Sequence, residues 1–175
     1  MLKLIVKYST ELNLLLTIPG ISKVSAMFII AEIGTNMNAF VDEKHLCSWA
    51  GLTPRCKESA GKKQSVRIIK AGQYIKPLLV ECALNAIKEK SCPYIKSKYE
   101  SIKKRRGHKK AIIAIARFLL TSVYFVLINK TEFDYKRFDE LHNKNIKKHN
   151  RSIKNKDDMI SYLSKLGYTI TLENT

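Results

Sequence analysis

The residues best suited to chemistry stand in one polar stretch, Gly51 to Lys70. Its composition predicts an irregular basic loop, in which Ser59 lies beside a flexible glycine, Gly61. A hydroxyl among cations is what attack on a phosphodiester requires, because positive charge holds the phosphate and stabilises the transition state. The alternative is a solvated basic loop that only touches nucleic acid. The cations around Ser59 in the sequence are Arg55, Lys57, Lys62, Lys63, Arg67 and Lys70.

The charge of the whole chain favours a polyanionic partner. Its 175 residues carry a formal net charge of +17, from 32 Lys and Arg against 15 Asp and Glu. Nucleic acid is the polyanion that such an excess indicates. A composition of 45% hydrophobic and 27% charged residues is typical of one soluble globular domain. The four cysteines show no CxxC pairing, which favours reduced thiols in a cytoplasm over a zinc site.

A second candidate for DNA contact precedes the basic stretch. The segment Leu15-x-x-Ile-Pro-Gly-Ile-Ser-x-x-x-Ala26 resembles a helix-hairpin-helix motif. Pro19 and Gly20 would turn the chain, and Ser22 would cap a helix that runs from Lys23 to Ile33. We expect Gly20 to let a phosphate approach the backbone and the helix N-terminus at Ser22 and Lys23 to bind it. The alternative is a helical hairpin with a tight turn and no DNA contact.

The remaining patterns predict a mainly α, compact helical domain over residues 14–129. Residues 1–13 are interpreted as the remnant of a preceding helix or linker, and residues 130–175 as a basic polar connector with a short amphipathic tail. A helix capped by Asp42 is predicted over Asp42–Ala50, with Trp49 in the core rather than serving to stack on bases. Another is predicted from Gly72 to about Lys90, with a core face that includes Leu79, Cys82 and Ala83. The run Tyr94–Lys110 is interpreted as a patch that follows the DNA backbone. Its candidate contacts are Lys104, Arg105, Arg106 and Lys109.

The apolar segment Ala111–Ile128 raises the alternative of a small membrane protein. Arg117 lies near its middle, and a central arginine costs ~2.5–3.5 kcal/mol on insertion scales. We therefore expect a buried helix in a soluble protein and no membrane partner. Arg117 then requires either a carboxylate or a phosphate as its partner.

Five segments in a fixed order resemble the C-terminal transposase domain of the IS-one-ten family of insertion-sequence enzymes, which are DEDD recombinases guided by a bridge RNA. The resemblance implies that Ser59 attacks a DNA strand and holds it as a phosphoserine during strand exchange, with Ser65 as the second candidate. It also implies DNA and a guide RNA as partners, and a homo-oligomer when intact. The segments are Leu14-Leu-Leu-Thr-Ile-Pro-Gly-Ile21, Ser48-Trp-Ala-Gly-Leu-Thr-Pro-Arg55, Glu58-Ser-Ala-Gly-Lys-Lys63, Tyr74-Ile-Lys-Pro-Leu-Leu79 and Arg105-Arg-Gly-His-Lys-Lys-Ala111.

One departure from the family bears on activity. Members of the family begin with a RuvC-like domain whose acidic residues bind magnesium, and this sequence has no counterpart to it. We therefore expect no metal or cofactor in this chain, with Mg²⁺ bound only by a RuvC-like domain supplied in trans or in the intact protein. On this interpretation the chain alone binds DNA without appreciable cleavage. The alternative function is a non-catalytic, sequence-indifferent helix-hairpin-helix module.

Overall fold

One long helix organises the fold. The computed structural model describes residues 8–54, 57–59, 62–65 and 71–134, with backbone alone for the two short middle ranges. The described helices are α1 (Ser9–Leu16), α2 (Lys23–Ile33), α3 (Glu43–Trp49), α4 (Ile75–Lys88), α5 (Pro93–Arg106) and α6 (His108–Asn129), with a 3-10 turn over Met37–Ala39. The predicted mainly α fold is confirmed. The N-terminal remnant up to residue 7 and the tail from residue 135 lie outside the described residues.

Helix α6 is the centre of the described part. Helices α1, α3, α4 and α5 all contact it, and α2 packs on α1 and α4. Eleven of its 22 residues are buried, and burying each large aliphatic side chain stabilises the fold by roughly 1.5–3 kcal/mol. Its length and composition would also suit a membrane span. The apolar side chains of α6 pack against the helices around it, which agrees with the predicted buried helix.

Two helix starts have the caps that the sequence predicts. The Ser22 hydroxyl accepts a hydrogen bond from the Ser25 N–H at 3.2 Å at the start of α2. The Asp42 carboxylate accepts one from the His45 N–H at 2.7 Å at the start of α3. That hydrogen bond stabilises the ionised form and lowers the pKa of Asp42. Both helices therefore begin where side-chain oxygens satisfy amides that have no partner within the helix.

The predicted position of Trp49 is wrong. Its side chain is 43% exposed, and its ring lies against Phe40 with the centroids 5.9 Å apart. Helix α3 is only seven residues long, and its buried positions are Leu46 and Cys47. Trp49 therefore falls on the outer side of the helix.

The basic stretch contains more order than the irregular loop predicted for it. Strands β1 (Lys57–Ser59) and β2 (Lys62–Ser65) pair antiparallel, with Ser59 opposite Lys62 and Glu58 opposite Lys63. A bulge between Lys57 and Glu58 shifts the register. Two residues, one of them a glycine, separate Ser59 from Lys62 in the sequence, a spacing typical of tight hairpin connections.

The hairpin joins the helices through a narrow base, called the neck below and formed by Ala50, Gly51, Ala71 and Gly72. A Cβ placed on Gly51 would lie 2.5 Å from the Ala71 carbonyl oxygen. A Cβ on Gly72 would overlap the backbone of Ala50. The two ends of the basic stretch therefore touch each other where α3 ends and the approach to α4 begins.

Candidate nucleic-acid interface

The junction of α5 and α6 gathers six exposed cations, called the basic corner below. Helix α5 ends at Arg106, Gly107 turns the chain, and α6 begins at His108. Within the described chain, the ion pair at this junction joins Lys103 and Glu100, with Nζ 3.8 Å from Oε1. The other cations have no described carboxylate within 4 Å, so their charge faces solvent. The corner consists of Lys103, Lys104, Arg105, Arg106, Lys109 and Lys110.

The turn at the basic corner is held by one side-chain contact. The Tyr99 hydroxyl lies 2.6 Å from His108 Nδ1, and the two rings meet edge to face. Tyr99 is buried, so this contact ties the first residue of α6 to the side of α5. The contact lies beside the turn between the two helices that carry the cations. All four cations predicted for the backbone-tracking patch, Lys104, Arg105, Arg106 and Lys109, are brought together here.

A groove of about 410 Å³ opens beside the basic corner and is called the Arg117 groove below. Its cations are Arg106, Lys110 and Arg117. Its apolar lining comes from α5, α6 and the segment that leads into the hairpin, namely Ile102, Ile113, Ala114, Leu52 and Pro54. The groove therefore joins the basic corner to the entrance of the hairpin that carries Ser59.

Arg117 is the least exposed of the three cations that line this groove. Its side chain is half-buried, and no described carboxylate lies within the 4.0 Å limit of an ion pair. Of the two partners expected for it, a carboxylate is therefore excluded within the described residues. Lys110 belongs to the predicted backbone-tracking patch, and Arg117 was expected to need a carboxylate or a phosphate, but neither is among the DNA contacts predicted from the sequence. Lys110 and Arg117 are seven positions apart in the sequence. Seven positions are about two helical turns, a spacing that predicts that both lie on one face of α6.

The phosphate contact at Pro19 and Gly20 stays a prediction, and the structure shows which groups surround these two residues. Pro19 is buried, and a Cβ on Gly20 would lie 2.5 Å from the Ala86 nitrogen on α4. The Gly20 N–H donates to Glu89 Oε2 at 2.6 Å, and the Ser91 hydroxyl donates to Glu89 Oε1 at 2.8 Å. The Gly20 amide proposed for a phosphate thus donates to a carboxylate in this structure. The glycine is needed because helix α4 passes close to the turn.

The other two residues of that motif remain at the surface. Ser22 and Lys23 are both exposed, but the Ser22 hydroxyl is engaged with Ser25, whose Oγ lies 2.9 Å away. Lys23 therefore remains as the cation of the motif that faces solvent at the start of α2.

For the hairpin, the structure gives the backbone alone. Ser59 lies at the end of β1, directly opposite Lys62, while Lys63 faces Glu58 across the ladder. Ser65, the second candidate nucleophile, pairs with Lys57 beyond the bulge. The roles of Ser59 and Ser65 stay predictions. The predicted contacts Arg55 and Arg67 lie outside the described residues.

Two further kinds of chemistry find no support in the described residues. No three His, Cys, Asp or Glu side chains come together there to hold a metal ion. Burial raises the pKa of the Cys47 and Cys82 thiols, which keeps both in the neutral form that is a poor nucleophile.

Comparison with known proteins places the chain in a family. Residues 12–100 match the transposase family IS116/IS110/IS902. The chain is 33% identical over 142 residues to the pilin gene-inverting proteins of Moraxella bovis and Moraxella lacunata, which covers 78% of this chain and 44% of each relative. The chain thus spans less than half the length of these relatives. No solved structure matches it. The chain belongs to the IS116/IS110/IS902 family of transposases.

Proposed function

We propose that this chain is the DNA-binding and strand-transfer part of a recombinase, with Ser59 as the nucleophile. The observation that carries the proposal is the continuity of one cationic surface with the entrance of the hairpin. Pro54 lines the Arg117 groove, and Ser59 follows five residues later. Since an extended chain spans at most about 3.6 Å per residue, the two Cα atoms are at most about 18 Å apart.

DNA binding by this surface depends on phosphates. The cations of the basic corner point to solvent from two helices, and lysine and arginine at such positions neutralise phosphates and release counterions. Contacts of this kind carry little sequence information. Binding is therefore indifferent to sequence, and any choice of target comes from elsewhere, as a guide RNA would provide.

The chemistry proposed for Ser59 is a transesterification. Its Oγ forms a bond to a phosphorus atom of one DNA strand, and the bond from that phosphorus to a deoxyribose oxygen breaks. The serine proton is lost, and the departing oxygen gains a proton. Attack by a hydroxyl of another strand then reverses the step and restores Ser59. The number of phosphodiester bonds is conserved, so strands can be exchanged without an external energy source. The two Moraxella relatives are named for inverting a gene, a rearrangement that needs strands broken and rejoined.

Activation of the serine requires more than the described residues provide. They contain no cluster that fits magnesium, so no step is assigned to a metal here. We propose that a RuvC-like domain, in the intact protein or in trans, supplies the acidic residues that hold magnesium. A second copy of the chain and a guide RNA complete the assembly. The chain alone then binds DNA in the cytoplasm without appreciable cleavage.

The nucleophile is tested by trapping a protein–DNA adduct. The chain is combined with a RuvC-like domain and end-labelled DNA, and covalent species are resolved on a denaturing gel. We expect the adduct with the parent and with the control Ser65→Ala, and none with Ser59→Ala, while DNA affinity stays unchanged in both variants. Recombination by Ser59→Ala at the parental rate would show that the nucleophile is wrongly assigned.

The second candidate function is a non-catalytic DNA-binding module. The basic corner favours it, because those cations are sufficient for binding without any nucleophile. Its helix-hairpin-helix form loses support, since Glu89 occupies the Gly20 amide. Salt-dependent DNA binding without an adduct, even with a RuvC-like domain present, would establish the module in place of the recombinase.

A further inference from the structure

We infer that the Arg117 groove is a subsite for one unpaired nucleotide of the bound strand. Arg106, Lys110 and Arg117 would hold its phosphate, and the apolar lining would take the sugar or base. The inference rests on the proposed DNA-binding function and adds the form of DNA that this part of the surface recognises.

The charges in the groove call for an anion. Three cations from the end of α5 and the first half of α6 line one cavity, and none of the lining residues is a carboxylate. Arg117 is half-buried, and a cation removed from water is costly unless an anion compensates it. A guanidinium binds phosphate oxygens in a bidentate manner. A phosphate is therefore the ligand that fits these three cations.

The lining of the groove separates an unpaired nucleotide from a duplex backbone. Ile102, Ile113 and Ala114 form an apolar surface from two helices. The outer phosphates of a duplex need cations but no apolar surface, whereas an unpaired nucleotide also exposes a sugar and a base face that gain from burial. A volume of about 410 Å³ lies within the range of pockets that bury small ligands.

A second groove in the described residues has a different set of charged residues in its lining. It measures about 380 Å³ and is lined by Phe28, Tyr74 and Leu78 with two carboxylates, Glu32 and Glu81. No lysine or arginine lines it. The two grooves are similar in size but opposite in charge, so size alone does not make the Arg117 groove a phosphate site.

The location of the groove fits a strand that passes toward Ser59. Pro54 lines the groove, and its Cα is at most about 18 Å from that of Ser59. Duplex DNA rises about 3.4 Å per base pair along the helix axis, so a span of about 18 Å corresponds to about five base pairs of duplex. An unpaired nucleotide near the site of strand transfer is what strand exchange produces.

The test compares one single-stranded and one duplex probe. Fluorescence anisotropy measures binding of labelled oligothymidylate and of a labelled hairpin duplex to the full chain. We expect Arg117→Ala to weaken binding of oligothymidylate about 10-fold while the duplex affinity changes less than twofold. The matched control, Lys109→Ala, removes a cation of the basic corner that does not line the groove. It should weaken both probes equally.

Two further variants keep the test decisive if Arg117→Ala fails to fold. Arg117→Lys retains the charge but loses the bidentate geometry, so an intermediate loss is expected. Ala114→Leu fills the groove without changing charge, so it should weaken oligothymidylate binding and leave the salt dependence unchanged. Equal effects on both probes, or no effect from any groove variant, would overturn the subsite. The DNA-binding function would still stand after the subsite is overturned, provided that Lys109→Ala weakens binding of both probes. If the parent binds neither probe, both proposals fail.

Discussion

Two glycines turn the chain between consecutive helices, and their surroundings are opposite. Gly20 joins α1 to α2 with φ +81°, and Gly107 joins α5 to α6 with φ +84°. A Cβ on Gly20 would run into the backbone of α4, whereas a Cβ on Gly107 would have no heavy atom within 4 Å. Glycine thus allows one turn to pack closely against a helix, whereas the other turn is open to solvent.

The charges differ between the two turns as well. The Gly20 amide already donates to the carboxylate of Glu89, while Gly107 is surrounded along the sequence by cations that point to solvent. A phosphate would meet a negative charge at the first turn and a positive field at the second. The helix-hairpin-helix pattern therefore identified a real turn, whereas the solvent-facing cations cluster at the other turn. A glycine in a sequence pattern indicates a backbone conformation that other residues rarely adopt. Whether it serves close packing or an open turn depends on the residues around it in the structure.

The largest expected difference between the turns is in stability. Gly20→Ala combines left-handed backbone strain of about 1–2 kcal/mol with overpacking of about 1–3 kcal/mol. We expect it to lower the free energy of unfolding by about 4 kcal/mol in urea titrations followed by circular dichroism. Gly107→Ala carries the backbone strain alone and should cost about 2 kcal/mol. Equal losses would mean that the contact of the Gly20 turn with α4 contributes little.

The next effect concerns DNA affinity. Replacing Lys104, Arg105 and Lys109 together by alanine removes three phosphate contacts of the basic corner. Each contact contributes about 0.9 to the slope of log K against log salt, so the slope should fall by about 2.7 and the affinity near physiological salt by about 100-fold. The control at the other turn is Lys23→Ala, which should change the affinity less than twofold. If Lys23→Ala greatly reduced DNA affinity and the triple variant did not, DNA would bind at the turn of Pro19 and Gly20 instead.

The smallest effect tests Glu89 as the link between the Gly20 turn and the segment that follows α4. Glu89→Ala removes the carboxylate that accepts from the Gly20 amide and from Ser91. Since a hydrogen bond to a charged group contributes roughly 1.5–3 kcal/mol and these groups are exposed to water, we expect a loss of about 1 kcal/mol in unfolding free energy.

The matched control for Glu89 is Glu81→Ala, an exposed carboxylate on α4. It should change the unfolding free energy by less than about 0.5 kcal/mol. DNA affinity should rise equally in the two variants, through net charge alone. A much larger gain for Glu89→Ala would show that the carboxylate keeps phosphate away from Gly20.

Local signals in the sequence predicted the parts of the fold that depend on neighbours along the chain. Ser22 and Asp42 cap helices because a side-chain oxygen reaches amides only two or three residues away. The apolar spacing that predicts α4 includes Leu79, Cys82 and Ala83, all buried. These features follow from the geometry of a single helix.

The features that sequence reasoning missed all depend on contacts between distant segments. Glu89 lies 69 positions from Gly20, so no pattern around the glycine could reveal its acceptor. Arg117 and Pro54 line one groove although 63 residues separate them in the sequence. Trp49 lies on the surface because Leu46 and Cys47 fill the inward side of a short helix. In each case tertiary packing, which local propensity does not encode, decided the outcome.

The neck allows the hairpin to vary independently of the helices. Its two halves, Ala50-Gly51 and Ala71-Gly72, are in contact, so the residues between them leave and rejoin the helices at one point. Doubling the length of such an insertion costs only about 0.6 kcal/mol in closure entropy. Hairpins of different length or sequence can therefore be exchanged at this position while the helices of the described part keep their arrangement. A protein built in this way can acquire a new hairpin without changes to the helices that support it.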